Sequence, residues 1–307
     1  MKITIKTTDK LERIDKLIAE KFPKLSRSFI QKEIKKGNIL VNKKEINPRY
    51  KVLVGDIVDI KNIDQPKPDI SPNNKVKFKI IEEDKNFIVI DKPAGLITHP
   101  SDSVHEPTLV NGLLAKFPEI EKVGEDKLRP GIVHRLDRDV SGLMVIAREQ
   151  KMFEYLKKQF QERTITKQYI ALVHGLVTEE EEGVIDTPIG RSVSKSGKMA
   201  AHTEEFDGDK QAKTEYKVIE RIKNYTLILA TIHTGRTHQI RVHLNSIEHP
   251  VVGDTLYTNK RINTKHAASL GRLFLHATIL GFNDLSDKKK EYESKLPKDL
   301  KDFLKTL

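Results

Sequence analysis

A polar stretch, KNIDQPKPDISPNNK at residues 61–75, constrains the fold more than any other feature of this chain. It holds three prolines and no apolar period, so it reads as a linker rather than a strand or helix. The 307 residues are therefore expected to build two cores, a small module at 1–60 and a larger one at 76–307. A hydrophobic fraction of 37% supports cores of that kind. Charge divides at the same place. Residues 1–60 carry fifteen Lys/Arg against eight Asp/Glu, and the rest of the chain supplies only +4 of the net +11. A surplus so placed predicts a polyanionic partner for the front module, nucleic acid more often than a membrane surface.

Several classes drop out at once. There is no cysteine, which excludes disulfides, Fe–S clusters, cysteine-ligated zinc and a catalytic thiol. No uncharged apolar run approaches the roughly 18 residues of a membrane span. The first residues, MKITIKTTDKLERIDK, lack the apolar core of a secretory signal. The expectation is a soluble, cytoplasmic protein with no membrane partner. Neither G-x-x-x-x-G-K-[ST], G-x-G-x-x-G nor G-x-S-x-G occurs, so nucleotide hydrolysis, dinucleotide redox and serine hydrolysis have no support. No internal repeat is visible.

In the front module, Ile14, Leu17, Ile18 and Phe22 recur at helical spacing within LERIDKLIAEKF. Ser26 is placed to cap a second helix, RSFIQKEIKKG, which Gly37 ends. NILVN reads as a strand, and VLVGDIVDI as a further pair of strands around a Gly55-Asp56 turn. Arg13, Lys16, Arg27, Lys32 and Lys35 fall on exposed faces, as a phosphate-contacting surface or simply a solvated one.

The large module carries three polar clusters set into apolar segments. In FIVIDKPAGLITHP (87–100), a buried strand runs into the turn Lys92 to Gly95, and a second short strand precedes His99. In GIVHRLDRDVSGLMVIAR (131–148), apolar ends enclose HRLDRD and fix it as a loop. That delivers Asp137 to a partly desolvated position beside Arg135 and Arg138, either as a structural ion pair or as an acid working beside bound phosphates. In LILATIHTGRTHQIRVHLNSIEHPVVGDTLY (227–257), a central strand turns at Thr234-Gly235. Thr237 is expected to cap a helix whose buried stripe is Ile240, Leu244 and Ile247. His238 and Arg241 share a face of that helix, and Arg236 precedes its anion-favouring N-terminus. His238 and His243 are five apart without the Glu of a zinc helix, so no metal is expected, and Arg241 becomes a candidate partner for Asp137. EQKMFEYLKKQFQERTI reads as an amphipathic helix with Phe153, Leu156 and Phe160 on one face, and TKQYIALVHG as a strand carrying Lys167 and Tyr169. RLFLHATILGF reads as a core strand with His276 as a satisfied core histidine. The lysine-rich tail after Asn283 suggests a short surface helix.

Taken together, the front-module segments resemble the S4-type RNA-binding domain. DKPAGLITHP, HRLDRDVSGL, KQYIALVHG, TGRTHQIRVHL and RLFLHA, spread over residues 78–283, resemble the RluA/RluD family of pseudouridine synthases. Val140 departs from the family's usual threonine; it keeps the shape and removes a hydroxyl.

The resemblance implies an α+β fold: a catalytic domain with a central mixed, mostly antiparallel sheet and flanking helices, behind a small α/β RNA-binding domain. It implies isomerisation of uridine to pseudouridine in structured RNA without any cofactor. Asp137 is then the essential carboxylate, as nucleophile or as base. Tyr169 packs on the uracil, Arg241 pairs with Asp137, and Arg135 fills the space left by the flipped base. His134, Arg236 and His238 join Arg135 at the RNA, and Arg13, Lys16, Ser26, Arg27 and Lys35 form the front domain's RNA face. The implied partner of this monomer is large-subunit (23S) ribosomal RNA or its precursor. The alternatives are transfer RNA, or a non-catalytic assembly factor that binds ribosomal RNA.

Overall fold

The computed structural model describes the chain except residues 8, 62, 64–69, 102–105, 179–180, 193–197, 205 and 259–264. It divides into two compact units, Met1–Ile70 with Pro100–Glu106, and Ser71–His99 with Pro107–Leu307. Much of the expected linker, at 62 and 64–69, lies outside the described residues.

In the front unit, β1 (Lys2–Thr4), α1 (Ile14–Lys21), α2 (Arg27–Lys35), β2 (Ile39–Val41) and β3 (Ile57–Ile60) follow in order. The strands form an antiparallel sheet in the order β1-β3-β2. The stripe read from the sequence is its core: Ile14, Leu17 and Ile18 pack with Ile30, Ile34, Val41 and Val58. Ser26 caps α2 by accepting from the Phe29 amide at 3.3 Å. Two expectations are corrected. Residues 52–54 form no strand, since Asp56 collects Leu53 N, Tyr50 Oη and Asn42 Nδ2 and folds the segment into a turn. β3 pairs instead with β1, whose three residues were too short to announce a period.

The second unit is built on one nine-stranded sheet. Its chain order is β4 (Lys79–Glu83), β5 (Phe87–Lys92), α3 (Leu109–Lys116), β6 (Ser141–Ala147), α4 (Gln150–Glu162), β7 (Thr166–His174) and β8 (Glu182–Asp186). A small hairpin, β9 (Ile189–Arg191) with β10 (Met199–Ala201), stands apart from the sheet. Then come β11 (Lys213–Ile222), β12 (Tyr225–Ile232), α5 (Gln239–Ser246), α6 (Lys265–Ala268), β13 (Leu275–Asn283), β14 (Lys289–Glu293) and α7 (Lys298–Lys305). The spatial order is β4-β5-β6-β13-β7-β12-β11-β8, with β14 also on β13. Every pair is antiparallel except β6 with β13. The mixed, mostly antiparallel sheet implied by the resemblance is therefore the fold.

The parallel crossing explains two of the sequence segments. Gly142 sits at φ +119° opposite Ala277, and a Cβ there would fall 2.2 Å from the Ala277 carbonyl oxygen. Only glycine admits that approach. Beside it, Ser141 Oγ meets His276 Nδ1 at 2.9 Å, and His276 Nε2 meets Ser294. His276 is thus the satisfied core histidine expected. β5, β6 and α4 enclose the main apolar cluster around Phe87, Val145, Phe153 and Leu156.

The tail holds more than a surface helix. β14 pairs with β13, and α7 buries Leu300 and Phe303 against Phe274. The short strand expected before His99 is absent, because Lys92 Nζ takes the carbonyls of Pro93 and Leu96 within the segment and Thr98 Oγ1 donates to a neighbouring loop, described next. No helix among the described residues is long and apolar enough to cross a membrane.

Candidate active site

Apolar ends and buried polar hooks hold the HRLDRD loop. Ile132 bridges to Ile146 of β6, which anchors one end. From below, Thr98 Oγ1 donates to the Leu136 carbonyl at 2.9 Å, and the Gly95 amide donates to the Arg138 carbonyl at 2.9 Å. Lys92 is fully buried, and its Nζ donates to the carbonyls of Pro93, Leu96 and Arg138 at 2.9, 2.8 and 3.1 Å. Burial pushes its pKa down, while the carboxylates of Asp137, Asp139 and Asp91 pull it back. The DKPAG segment is therefore the seat of the loop. The Val140 amide closes the turn by donating to the Asp137 carbonyl at 3.2 Å, and Val140 itself is buried.

So held, Asp137 presents its carboxylate to α5. Arg241 Nη1 donates to Asp137 Oδ2 at 3.2 Å, and His238 Nε2 lies 3.8 Å from the same oxygen. Arg135 and Arg138, the sequence neighbours, do not pair with Asp137. Arg138 lies 4.0 Å from Asp139, and Arg135 is exposed. A residue not singled out in the sequence carries Arg241: Asp254, whose buried carboxylate accepts from Arg241 Nε at 2.7 Å and Nη2 at 3.0 Å. Asp254 also accepts the amides of Leu256 and Tyr257, both at 2.8 Å. Tyr257 completes the setting, with its ring 5.0 Å from the Arg241 guanidinium carbon and its hydroxyl 2.9 Å from His238 Nδ1. The only local sign of Asp254 was an acid after a glycine in VVGDTLY.

The cap expected at Thr237 is displaced by one residue. His238, at φ +58°, is the N-cap of α5 and makes no side-chain cap bond. Gln239 does the turn's work instead. Its Oε1 accepts from Thr234 Oγ1 at 2.6 Å and from the Arg236 amide at 3.1 Å, and its Nε2 donates to Lys213 O and Thr214 Oγ1. Burial lowers the His238 pKa, with Asp137 opposing.

Tyr169 projects from β7 between Ala230 of β12 and Ala277 of β13, small residues that leave room beside its ring. Burial, then the charge of Asp137, raises its pKa well above the ordinary phenol value, so it stays protonated. Asp137, Val140, Tyr169, His238 and Arg241 line a pocket of about 100 Å³. A larger cavity of about 520 Å³ shares Arg135, Tyr169, Ile232 and Arg236 with it. His134 is half-buried, and its Nε2 accepts from the Val145 amide at 3.0 Å. Its ring stacks on Phe160 at 4.8 Å, and burial pushes its pKa down to about 3. No group of three or more potential metal ligands occurs among the described residues.

The front-unit residues form a group of their own. Arg13 and Arg27 are half-buried rather than freely exposed, because both converge on Asp15, which is fully buried. Arg13 Nε and Nη2 donate to it at 3.0 and 2.8 Å, and Arg27 Nε at 3.0 Å. Lys16 lies 3.7 Å from Glu12, whereas Lys35 is exposed and has no ion pair among the described residues.

A family model described as RNA pseudouridylate synthase matches residues 86–246, and one for the S4 domain matches residues 12–58. An uncharacterized RNA pseudouridine synthase of Aquifex aeolicus is 44% identical over 80% of this chain and 77% of its own. One of Bacillus subtilis, YlyB, is 36% identical over 99% of this chain and 97% of its own. The ribosomal large subunit pseudouridine synthase D of Yersinia pestis is 37% identical over 96% and 91%. Among solved structures, human RNA pseudouridylate synthase domain containing 1 superposes with a TM-score of 0.60 at 25% identity, covering 74% of this chain and 86% of that one.

Proposed function

This chain belongs to the RluA family of RNA pseudouridine synthases and carries an N-terminal S4 domain; on that premise we propose that it isomerises uridines of large-subunit (23S) ribosomal RNA with Asp137 as the reacting carboxylate. The observation that carries this reading is the Asp137–Arg241 contact at 3.2 Å facing a buried Tyr169 across a pocket of uracil scale. The ribosomal target is supported by relatives named for that subunit, which align with nearly the whole chain.

The chemistry follows from the residues. A stacked base cannot offer its sugar bond to a carboxylate, so the uridine is first flipped out, at a cost of a few kcal/mol. Arg135, exposed at the mouth of the pocket, is free to fill the vacated stack with its planar guanidinium. The uracil packs on Tyr169. Asp137 works at the ribose while the C1′–N1 bond breaks, the uracil turns, and C5 bonds to C1′. C5 gives up its proton and N1 gains one, so the sum is an isomerisation. Arg241 keeps the Asp137 carboxylate aimed through its contact at 3.2 Å. A neutral Tyr169 adds no second charge beside it.

Pseudouridine mapping of ribosomal and transfer RNA, with and without the protein, tests the target. New pseudouridines in the large-subunit RNA are expected, and changes confined to transfer RNA would refute the ribosomal reading. Asp137→Asn should bind RNA yet form no pseudouridine; full activity in that variant refutes the role of Asp137.

A further inference from the structure

We propose that the cavity of about 520 Å³ beside the Asp137 pocket is a phosphodiester subsite, in which Lys167 takes a backbone phosphate next to the flipped uridine. The proposal rests on the reading of the Asp137 pocket as the uridine site and adds to it where the neighbouring backbone lies.

The lining is one-signed. Arg129, Arg135, Lys157, Arg163, Lys167 and Arg236 border the cavity, and no Asp or Glu does. Two of these are already neutralised from outside it, Arg129 by Asp126 at 3.4 Å and Lys157 by Glu125 at 2.5 Å. The other four have no ion pair among the described residues. Three of them reach solvent to some degree, but Lys167 is only 8% exposed. Its ammonium has a single partner there, the Phe160 ring, at 5.5 Å from the centroid. A cation–π contact offsets only part of the cost of burying a charge. Burial and the repulsion of Arg163 and Arg236 push the Lys167 pKa down to about 8. A second buried polar group faces the same space. His99 is 5% exposed, lines the cavity, and its Nδ1 has no hydrogen-bond partner among the described residues.

A buried ammonium and guanidiniums without ion pairs among the described residues, with an imidazole nitrogen free of a hydrogen bond beside them, suit an anion with several acceptor oxygens. A phosphodiester supplies both charge and acceptors. Position selects the backbone of the bound RNA over a free anion. Lys167 and Tyr169 are two residues apart on β7 and project from the same face of the sheet. Two residues of strand span about 7 Å. An anion on Lys167 is therefore a near neighbour of a base packed on Tyr169.

The test uses the full chain in an Asp137→Asn background, so that binding is read without turnover. Transcripts of large-subunit ribosomal RNA and of a transfer RNA are titrated at several salt concentrations. Lys167→Met should weaken binding of the preferred RNA about tenfold and lower the slope of log K against log salt by about one. Lys167→Arg should keep both. The melting temperature of Lys167→Met should hold or rise, because an unpaired buried charge has been removed. Unchanged affinity and slope overturn the proposal. So does a loss of binding that comes with a lower melting temperature and is shared by Lys167→Arg, which marks a packing role. A Lys167-dependent response to inorganic phosphate without any change in RNA binding overturns it in favour of a free-anion site. Failure of the uridine reading shows elsewhere, as pseudouridine formed by Asp137→Asn, and leaves these binding outcomes readable.

Discussion

Asp254→Asn isolates the ion pair beneath the site. Asp254 is fully buried, and the Arg241 side chain is 12% exposed, so their two contacts at 2.7 and 3.0 Å are shielded from water. Removing one partner of a buried pair costs about 3–5 kcal/mol, mostly because the other charge is left behind. Asparagine keeps a carbonyl oxygen for the amides of Leu256 and Tyr257, which places the loss at the lower end. The surviving contact to Asp137 at 3.2 Å, on a side chain 21% exposed, recovers about 1 kcal/mol at most. A net loss of about 2–3 kcal/mol in a unit of this size lowers Tm by roughly 4–12 °C. Activity should fall further than stability suggests. Without Asp254 the guanidinium settles toward Asp137 and pulls it off its line, and misplacement of that order costs about 100-fold. Thermal unfolding and single-turnover pseudouridine formation read the two effects separately. The double variant Asp254→Asn/Arg241→Met removes both charges and should regain stability over Asp254→Asn alone, yet stay inactive. Wild-type Tm and activity in Asp254→Asn would refute the reasoning, as would a double variant whose loss is the sum of its singles.

Two further outcomes follow. Gly142→Ala drives a Cβ against the Ala277 carbonyl at a positive φ, so urea unfolding should show a loss of about 3 kcal/mol or more; a loss under 1 kcal/mol would mean that the parallel crossing relaxes freely. His134 has its pKa pushed down to about 3 against an ordinary 6.5, so the stability it contributes is fully present above about pH 6.5 and is lost as pH falls toward 3. His134→Leu should cost about 1–3 kcal/mol at pH 7 by orphaning the Val145 amide, and should flatten the acid side of the stability curve; an unchanged acid slope would show that His134 does not titrate with unfolding.

Residue order alone announced much of this protein. The helical stripe at Ile14, Leu17 and Ile18 and the runs at Phe87–Ile90, Leu143–Ala147 and Leu227–Ile232 carry their period in the chain, because burial on one side or both is written locally. The family's segments, with HRLD and GRTHQIR, led to the fold and to Asp137, Tyr169 and Arg241 together. What local pattern missed depends on distant partners. Strands β1 and β14 are short and polar enough to be strands only because an edge was waiting for them. Arg13 and Arg27 were read as exposed, and turned inward because a buried Asp15 needs counter-charge. Thr237 lost its cap to Gln239, which reaches β11. Arg241 was expected at Asp137, but its main grip is on Asp254, thirteen positions along the chain. The chain order could say which charges exist and roughly which face they share. Only the tertiary structure could say which of them are deprived of water, and a charge acquires a fixed partner where burial makes being unpaired too costly.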